Sequence, residues 1–449
     1  MINSIKIAFR NTLRNKRRTL LSLFAIAIGG FASLLIGSFV SSINKGIQTG
    51  IARDSGHIHV HKEGYFDFGS AKLSKYDIEN YEEIIESIKK SEVGSLINVI
   101  TPTLTISGIA SNIDKGTSQI FVGVGLVAKQ QQMMQSWDAF GLNIPAKKLN
   151  LEGGLIGRGL AINLDMCKEL GIAECKIEKK EINNSPVDED ISLFLEENIP
   201  SDAKSINLLA SASTGAPNII RLHVDAVWEK TQKELDDRFI ALPLNVAQSL
   251  VYGAGVKKVN SINIQLKSPD DIQKVNKYLN SMFTKEGLEL EVINLEQFNP
   301  QFNKIIGMFS VIFSFVSVVI GLIAIFTVSN TMTMSIMERF NEIGTLRSMG
   351  LRRSGVRTYF LLEGTIIGFF GASMGVILAL GATTAINAVK LMWTPPSSAN
   401  PTQLVFNLID TPELIVGVWM FLIIISVVSS VLPAIRASKM AIVDALRHN

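Results

Sequence analysis

IIGMFSVIFSFVSVVIGLIAIFTVSNTMTMSIM, residues 305–337, runs for 33 residues without a charge. As a helix, at 1.5 Å per residue, it reaches about 50 Å, well beyond the roughly 30 Å hydrocarbon core of a bilayer. Three more apolar runs accompany it: Leu20–Ile43, Thr358–Val389, interrupted only by Glu363, and Leu414–Ile435. Each exceeds the roughly 20 residues that a membrane-crossing helix requires. The 449 residues are 47% hydrophobic with a net charge of +3, more apolar than an ordinary soluble chain and without the basic excess of a nucleic-acid binder. The first run follows Lys16, Arg17 and Arg18, as a secretory signal would. Its apolar length and the lack of an A-x-A site identify it instead as a retained anchor.

The basic residues give the orientation. Lys6, Arg10, Arg14, Lys16, Arg17 and Arg18 precede the first run; Arg339, Arg347, Arg352, Arg353 and Arg357 separate the second from the third; Arg436, Lys439 and Arg447 follow the fourth. WTPPSSANPTQLVFNLIDTPE, between the third and fourth, has no Lys or Arg. By the positive-inside rule both termini and the 337–357 loop are cytoplasmic. The expected layout is a cytoplasmic segment over 1–18, membrane helices over 19–43, 304–336, 358–390 and 414–436, and an extracytoplasmic domain over 44–303. A cytoplasmic loop over 337–357, an extracytoplasmic loop over 391–413 and a cytoplasmic tail over 437–449 complete it. Residues 2–18 suit either an interfacial helix on an anionic leaflet or a plain extension of the first span.

Within 44–303, strand-like GHIHVH, LINVITPTLTISG, SQIFVGVG, IIRLHVDAVW and SINIQL alternate with helix-like YDIENYEEIIESIKK, GLAINLDMCKELG and SPDDIQKVNKYLNSMFTKEG. That alternation predicts a mixed α/β domain. The fold class is therefore an α-helical membrane protein with four transmembrane helices and a large extracytoplasmic α/β domain between the first and second. The acidic stretch over 177–205 is expected to be a loop-rich insertion or a subdomain junction.

Small residues recur in register in the spans. Gly364, Gly368, Gly371 and Gly375 fall on one helical face, as do Ser310, Ser314, Ser317 and Gly321. Such faces let helix backbones approach closely in lipid, within one chain or between two. Glu363, near the cytoplasmic end of the third span, is expected to form an ion pair, with Arg357 in reach, ahead of any proton-coupling role.

His57, His59 and His61 alternate along a strand and project from one face. Same-face neighbours on one strand start nearly 7 Å apart, too far to converge on zinc, so a solvated strand face is expected and no metal site. Cys167 and Cys175, the two cysteines, form either a small-loop disulfide or two buried thiols. GLIGRGL and GAGVKKV lack the lysine and hydroxyl of a phosphate-binding loop, so no nucleotide chemistry is expected of this chain. RFNEIGTLRSMG predicts a short helix stopped at Gly350 by a left-handed cap. It is either a solvated connector or a docking surface for a soluble protein.

MERFNEIGTLRSMGLRRSGVRTYFLLEGTIIGFFGASMGVILA resembles the signature of the FtsX-like permease family, the MacB-type membrane subunits of ABC transporters of the macrolide-exporting and lipoprotein-releasing kinds. LPAIRASKMAIVDALR, IAFRNTLRNKRRTLLSLFAIAIG, GGLIGRGLAINLDMCKELGI and LDDRFIALPLNVAQSL extend the resemblance over nearly the whole sequence, the external motifs matching more loosely. It implies a MacB-like periplasmic core domain in 44–303 and makes 337–350 a coupling helix seated in a separate ATPase, two copies of which serve a permease dimer. Glu338, Arg339, Glu342, Ile343, Gly344, Leu346, Arg347, Met349 and Gly350 occupy its docking positions, and Met440, Val443 and Leu446 pack nearby. ATP and magnesium would bind the ATPase, and this chain would hold no cofactor.

The second copy is either identical or a paralogue. GHIHVHKEGY after the first span is similar to the lipoprotein-releasing LolC/LolE-like branch, and no ATPase fused ahead of the permease is expected. The implied function is extraction or export of an amphiphilic cargo, a lipoprotein or lipid-like molecule, from the bacterial inner membrane by mechanotransmission through the spans, with a periplasmic carrier or adaptor. The alternatives are a transmembrane signal transmitter acting on a cell-wall hydrolase, and an exporter of antimicrobial peptides or antibiotics.

Overall fold

The computed structural model describes residues 16–68, 75–142, 145–147, 149, 151–172, 175, 203–212, 215–230, 232–294, 297, 300–393 and 402–440. Residues 1–15 of the expected interfacial helix, nearly all of the acidic 177–205 stretch, and Val443 and Leu446 lie outside them. Two compact units make up the chain: Met1–Lys45 with Gln301–Met392 and Gln403–Asn449, and Gly46–Pro300 with Trp393–Thr402.

The principal elements, in order, are α1 (Lys16–Ser55), β1 (Ile58–Lys62), α2 (Tyr81–Lys90), β2 (Ile97–Asn112), β3 (Thr117–Leu126), α3 (Ala128–Gln135), β4 (Gly154–Ile156) and α4 (Arg158–Asn163). Next come β5 (Ser205–Ser211), β6 (Pro217–Val227), β7 (Phe239–Pro243), α5 (Leu244–Tyr252), β8 (Ser261–Leu266), α6 (Ile272–Glu286) and β9 (Leu290–Asn294). Then α7 (Pro300–Glu338), α8 (Phe340–Ser348), α9 (Arg353–Val389) and α10 (Pro412–Lys439) close the chain. Helices α1, α7, α9 and α10 are long and apolar enough to cross a membrane. The mixed-sheet domain lies in sequence between the first and second of them.

In the sheet domain, β8 pairs antiparallel with β1 and with the first half of β2, and β1 pairs antiparallel with β9, giving the order β2-β8-β1-β9. Helix α2 links β1 to β2 and α6 links β8 to β9, the split βαβ arrangement of ferredoxin-like folds. Helix α2 has Glu82 and Glu83 in its first turn, Lys89 and Lys90 in its last, and buries Tyr81, Ile85 and Ile88. That is an amphipathic helix whose charges suit its dipole. Everything between the second half of β2 and β8 is an insertion. Its pairings close a ring, β2-β3-β7-β4-β6-β5 and back to β2, so the 16-residue β2 belongs to both sheets.

One face of the four-stranded sheet is apolar, with Ile58, Val60, Ile262, Ile264 and Leu266 in the domain core. The other carries His59, His61, Thr101, Thr103, Ser261, Asn263 and Gln265, and it too is buried. The solvated histidine face expected above is therefore not what the fold builds: His57, His59 and His61 are 3%, 2% and 4% exposed. His59 Nδ1 donates to Asn263 Oδ1 at 3.0 Å and His61 Nδ1 to the Asn260 carbonyl at 2.7 Å. His57 Nδ1 accepts from Leu266 N–H at 3.0 Å. Tyr65 stacks on His61 and Trp137 lies against His57. A strand pattern alone does not distinguish water from a second packed layer. Among the described residues no three metal-ligating side chains come together.

The end of α1 is fastened within the sheet domain. The last carbonyls of a helix have no partner inside it. Here Gln265 Nε2 donates to Ala52 O, and Gln131 and Gln135 Nε2 donate to Arg53 O. Lys230, 5% exposed, reaches Asp54 Oδ2 at 2.9 Å while its ammonium sits 3.6 Å from the Trp228 ring centroid. Desolvation pulls its pKa down, and Asp54 partly offsets that.

The helix expected to run through Leu170 stops at Asn163, where Asp165 adopts φ +55° and Met166 N–H turns back to the Ala161 carbonyl. Cys167 thereby leaves on a turn and is disulfide-bonded to Cys175, with Cα atoms 6.1 Å apart. In GLIGRGL, Asp236 accepts from Gly159 N–H and Lys230 N–H, both at 2.7 Å, so the chain's own carboxylate fills this helix start.

In the membrane unit, Gly364 and Gly368 face Ser430 and Ser426 of α10, while Gly371 and Gly375 face Ile26, Ala27 and Gly30 of α1. This face is a seam within one chain. Ser426 Oγ donates to the Gly364 carbonyl at 2.7 Å. The second expected stripe departs from this. Ser310 and Ser314 are exposed, Ser317 is half-buried, and Gly321 alone of the four is buried, against Ile425. The fully buried face of α7 begins at Gly321 and continues through Ala324, Val328, Met332 and Ile336, while in the turns before it α7 meets α1 through Phe309, which lies against Phe39, and through Phe313 and Ile320.

Two outcomes are expected. Burial without a countercharge holds the histidine pKa values near 4, 3 and 4 for His57, His59 and His61. The unfolded chain then binds protons at higher pH than the folded one, so stability is full above the unfolded value and falls as pH drops toward the folded ones. From about pH 7 to pH 5 the loss is about 2 kcal/mol per histidine. Hydrogen-exchange protection of β1 and β8 amides, corrected for intrinsic rates, should weaken over that interval, and constant protection would contradict the buried neutral histidines. Separately, a side chain at Gly375 would place Cβ 2.8 Å from the Ala27 carbonyl. Gly375→Val should cost about 1–3 kcal/mol in thermal unfolding of the detergent-solubilised chain, while Ser310→Val leaves it unchanged; equal melting would remove the glycine seam's role.

Candidate functional site

The polar segment between α7 and α9 folds as the short helix α8. The chain bends at Arg339, whose φ of −107° and ψ of 19° are not helical. At the other end Gly350 has φ +98°, its N–H bonding to the Arg347 carbonyl and that of Leu351 to the Leu346 carbonyl, both at 3.1 Å. Those two bonds define a Schellman stop, and a side chain at a positive φ is disfavoured there.

Two faces result. Arg339 and Ile343, at 6% and 7% exposure, and Gly344 turn into the protein, with Ile343 packed alongside Val356 and Phe360. Glu338, Glu342, Leu346, Met349 and Gly350 turn outward, Met349 at 79% exposure. Arg347 is half-buried and donates to the Met440 carbonyl at the end of α10. Arg339, Ile343 and Gly344, expected on a docking surface, thus belong to the inner face, because positions 339, 343 and 347 continue the buried stripe of α7 around the bend.

Four contacts tie this end of the bundle together. Arg18 of α1 pairs with Glu338, and Ser22 Oγ lies 2.6 Å from Thr331 Oγ1. Arg339 Nη1 is 3.5 Å from Glu363 Oε2, both side chains buried. Arg357 Nε donates to Ser438 Oγ at 3.0 Å. Glu363 therefore pairs with Arg339 rather than the expected Arg357. Six residues on a helix is 600°, which puts Arg357 on another side of α9 and against α10. Sequence reasoning gave Arg18 a part in orientation alone and passed over Ser22 and Thr331. The signal was present as polar residues inside or beside apolar runs, which in lipid seek partners on neighbouring helices.

Residues 305–442 match the FtsX-like permease C-terminal family. An uncharacterized ABC transporter permease of Methanocaldococcus jannaschii is 27% identical over 229 residues, 51% of this chain and 55% of the relative. The lipoprotein-releasing system transmembrane protein LolC of Haemophilus influenzae is 31% identical over 132 residues, 29% of this chain and 32% of the relative. The macrolide export ATP-binding/permease protein MacB of Campylobacter jejuni is 21% identical over 389 residues, 86% of this chain and 54% of the relative. The chain spans about half the length, or less, of these curated relatives. Residues 305–442, which hold the apolar length of α7 together with α8, α9 and α10, are an FtsX-like permease domain, and the chain is similar to ABC transporter permeases of the MacB and LolC type.

Proposed function

We propose that this chain is the permease subunit of an ABC transporter in which a separate ATPase subunit, binding ATP and magnesium, docks on the outward face of α8. The observation that carries the reading is that face: a short helix held at both ends, presenting Glu342, Leu346 and Met349 between two apolar helices of the permease domain. Two permeases, identical or paralogous, and two ATPases make the working assembly. Hydrolysis moves the membrane helices, and that movement is passed to the domain between α1 and α7. The cargo is amphiphilic, a lipoprotein or lipid-like molecule. Support for that class comes from the names of the relatives, one lipoprotein-releasing and one macrolide-exporting.

Sidedness follows from Arg339, Arg347, Arg352, Arg353 and Arg357 clustering around α8. The α8 side and both termini are cytoplasmic, the sheet domain is extracytoplasmic, and the membrane is the bacterial inner membrane.

Affinity purification from native membranes in mild detergent should retain an ATPase whose hydrolysis responds to lipoprotein, lipid or amphiphilic drug. Glu342→Lys reverses an outward charge and Gly350→Pro cannot adopt a positive φ, so each should reduce the retained ATPase about tenfold or more with unchanged membrane levels, an effect of the size expected for a disrupted interface centre. Undiminished retention in both variants would rule out α8 as the dock, and hydrolysis indifferent to every amphiphile would rule out the cargo class. For orientation, single cysteines replacing Gln130 and Ser348 should label from the outside and the inside respectively, and the reverse pattern would invert the topology.

A further inference from the structure

Consecutive residues at the bend between α7 and α8 reach toward different helices. Glu338 pairs with Arg18 of α1, both side chains 39% exposed, whereas Arg339 pairs with Glu363 of α9, both side chains 7% exposed. Water and salt weaken the first pair. The second resists separation, because parting it strands two charges away from water. The buried pair joins α9 to the residue where the chain bends, not to the body of either α7 or α8.

The other end of α8 is held by Arg347, which bonds the Met440 carbonyl. A load on the outward face between these two points therefore falls on a helix supported at Arg339 and Arg347. Glu363 borders a small space, about the size of one water, that Arg18, Thr19, Thr331, Ser335 and Ile367 line with it. Glu363 also adjoins Gly364, whose carbonyl accepts from Ser426 of α10. A shift of Glu363 is thus delivered to α10 through that hydrogen bond.

We propose that Arg339 and Glu363 are the pivot through which movement of α8 reaches α9 and α10, as positioning residues for coupled ATP hydrolysis and not as docking contacts. The proposal rests on the reading of α8 as the ATPase dock. The test compares the purified complex of the parent chain with those of Glu363→Gln, Arg339→Lys and the exchanged pair Arg339→Glu/Glu363→Arg.

Glu363→Gln keeps shape and removes charge, so the amount of ATPase retained and its KM for ATP should stay within about twofold of the parent, while kcat changes about fivefold or more. Arg339→Lys keeps the charge and should remain near the parent, and the exchanged pair should recover most of the lost effect. A Glu363→Gln complex with parental kcat overturns the proposal. So does loss of the ATPase in step with kcat, which makes the pair a folding element only. Absence of any ATPase from the parent preparation sinks the functional reading and the proposal with it, an outcome separable from the other two.

Discussion

Helix α9 comes within touching distance of α1 and α10 because four of its positions carry no side chain. Inside a bilayer, burying a leucine against another helix gains little over burying it against lipid, so association depends on close backbone approach and on hydrogen bonds. Gly371 and Gly375 bring α9 onto the backbone of α1, and Gly364 and Gly368 bring it onto the serines of α10. The depth at which Glu363 sits follows directly, since it precedes Gly364. So does the identity of its partner, because the bend at Arg339 delivers a guanidinium to that depth. The outward face of α8 is thus set by glycines more than a helical turn inside the membrane segment.

The sheet domain meets a different constraint. Its four-stranded sheet buries both faces, one lined by isoleucine, valine and leucine and the other by histidine, threonine, serine, asparagine and glutamine. A buried polar face is tolerable when its groups are paired, and here side chains bond one another, the Asn260 carbonyl and the end of α1. The glutamines that cap α1 are part of the same arrangement. A helix end that would otherwise need water finds its partners among domain side chains.

The apolar runs, the positive φ at Gly350 and the glycine face of α9 were legible because each follows from local composition or spacing. Runs of twenty uncharged residues have few alternatives to crossing a membrane, and a glycine closing a short charged helix signals its own cap. What depended on distant chain segments was not legible. Strands β4, β5, β7 and β9 carry weak local patterns and exist because other strands accept them. The same cause hid the burial of His57, His59 and His61, the inward turn of Arg339, and the exposure of Ser310 and Ser314. Spacing says which residues share a face and is silent on what lies against it.

Strand β2 serves two sheets that close at different times. Its second half meets β3 across a turn of a few residues, Asn112 opposite Thr117, whereas β1 meets β8 across some two hundred, His59 opposite Asn263. Loop closure grows costlier with separation, and pairings between remote segments slow folding. A chain emerging from its amino end therefore has every strand of the ring before it has β8, and the inserted barrel is complete in sequence while β1 still waits for a neighbour. Until β8 arrives, His59 and His61 lack the Asn263 side chain and Asn260 carbonyl that accept their hydrogen bonds. During that interval the outer sheet is an open edge, and the order of synthesis makes the insertion the template on which its host domain is finished.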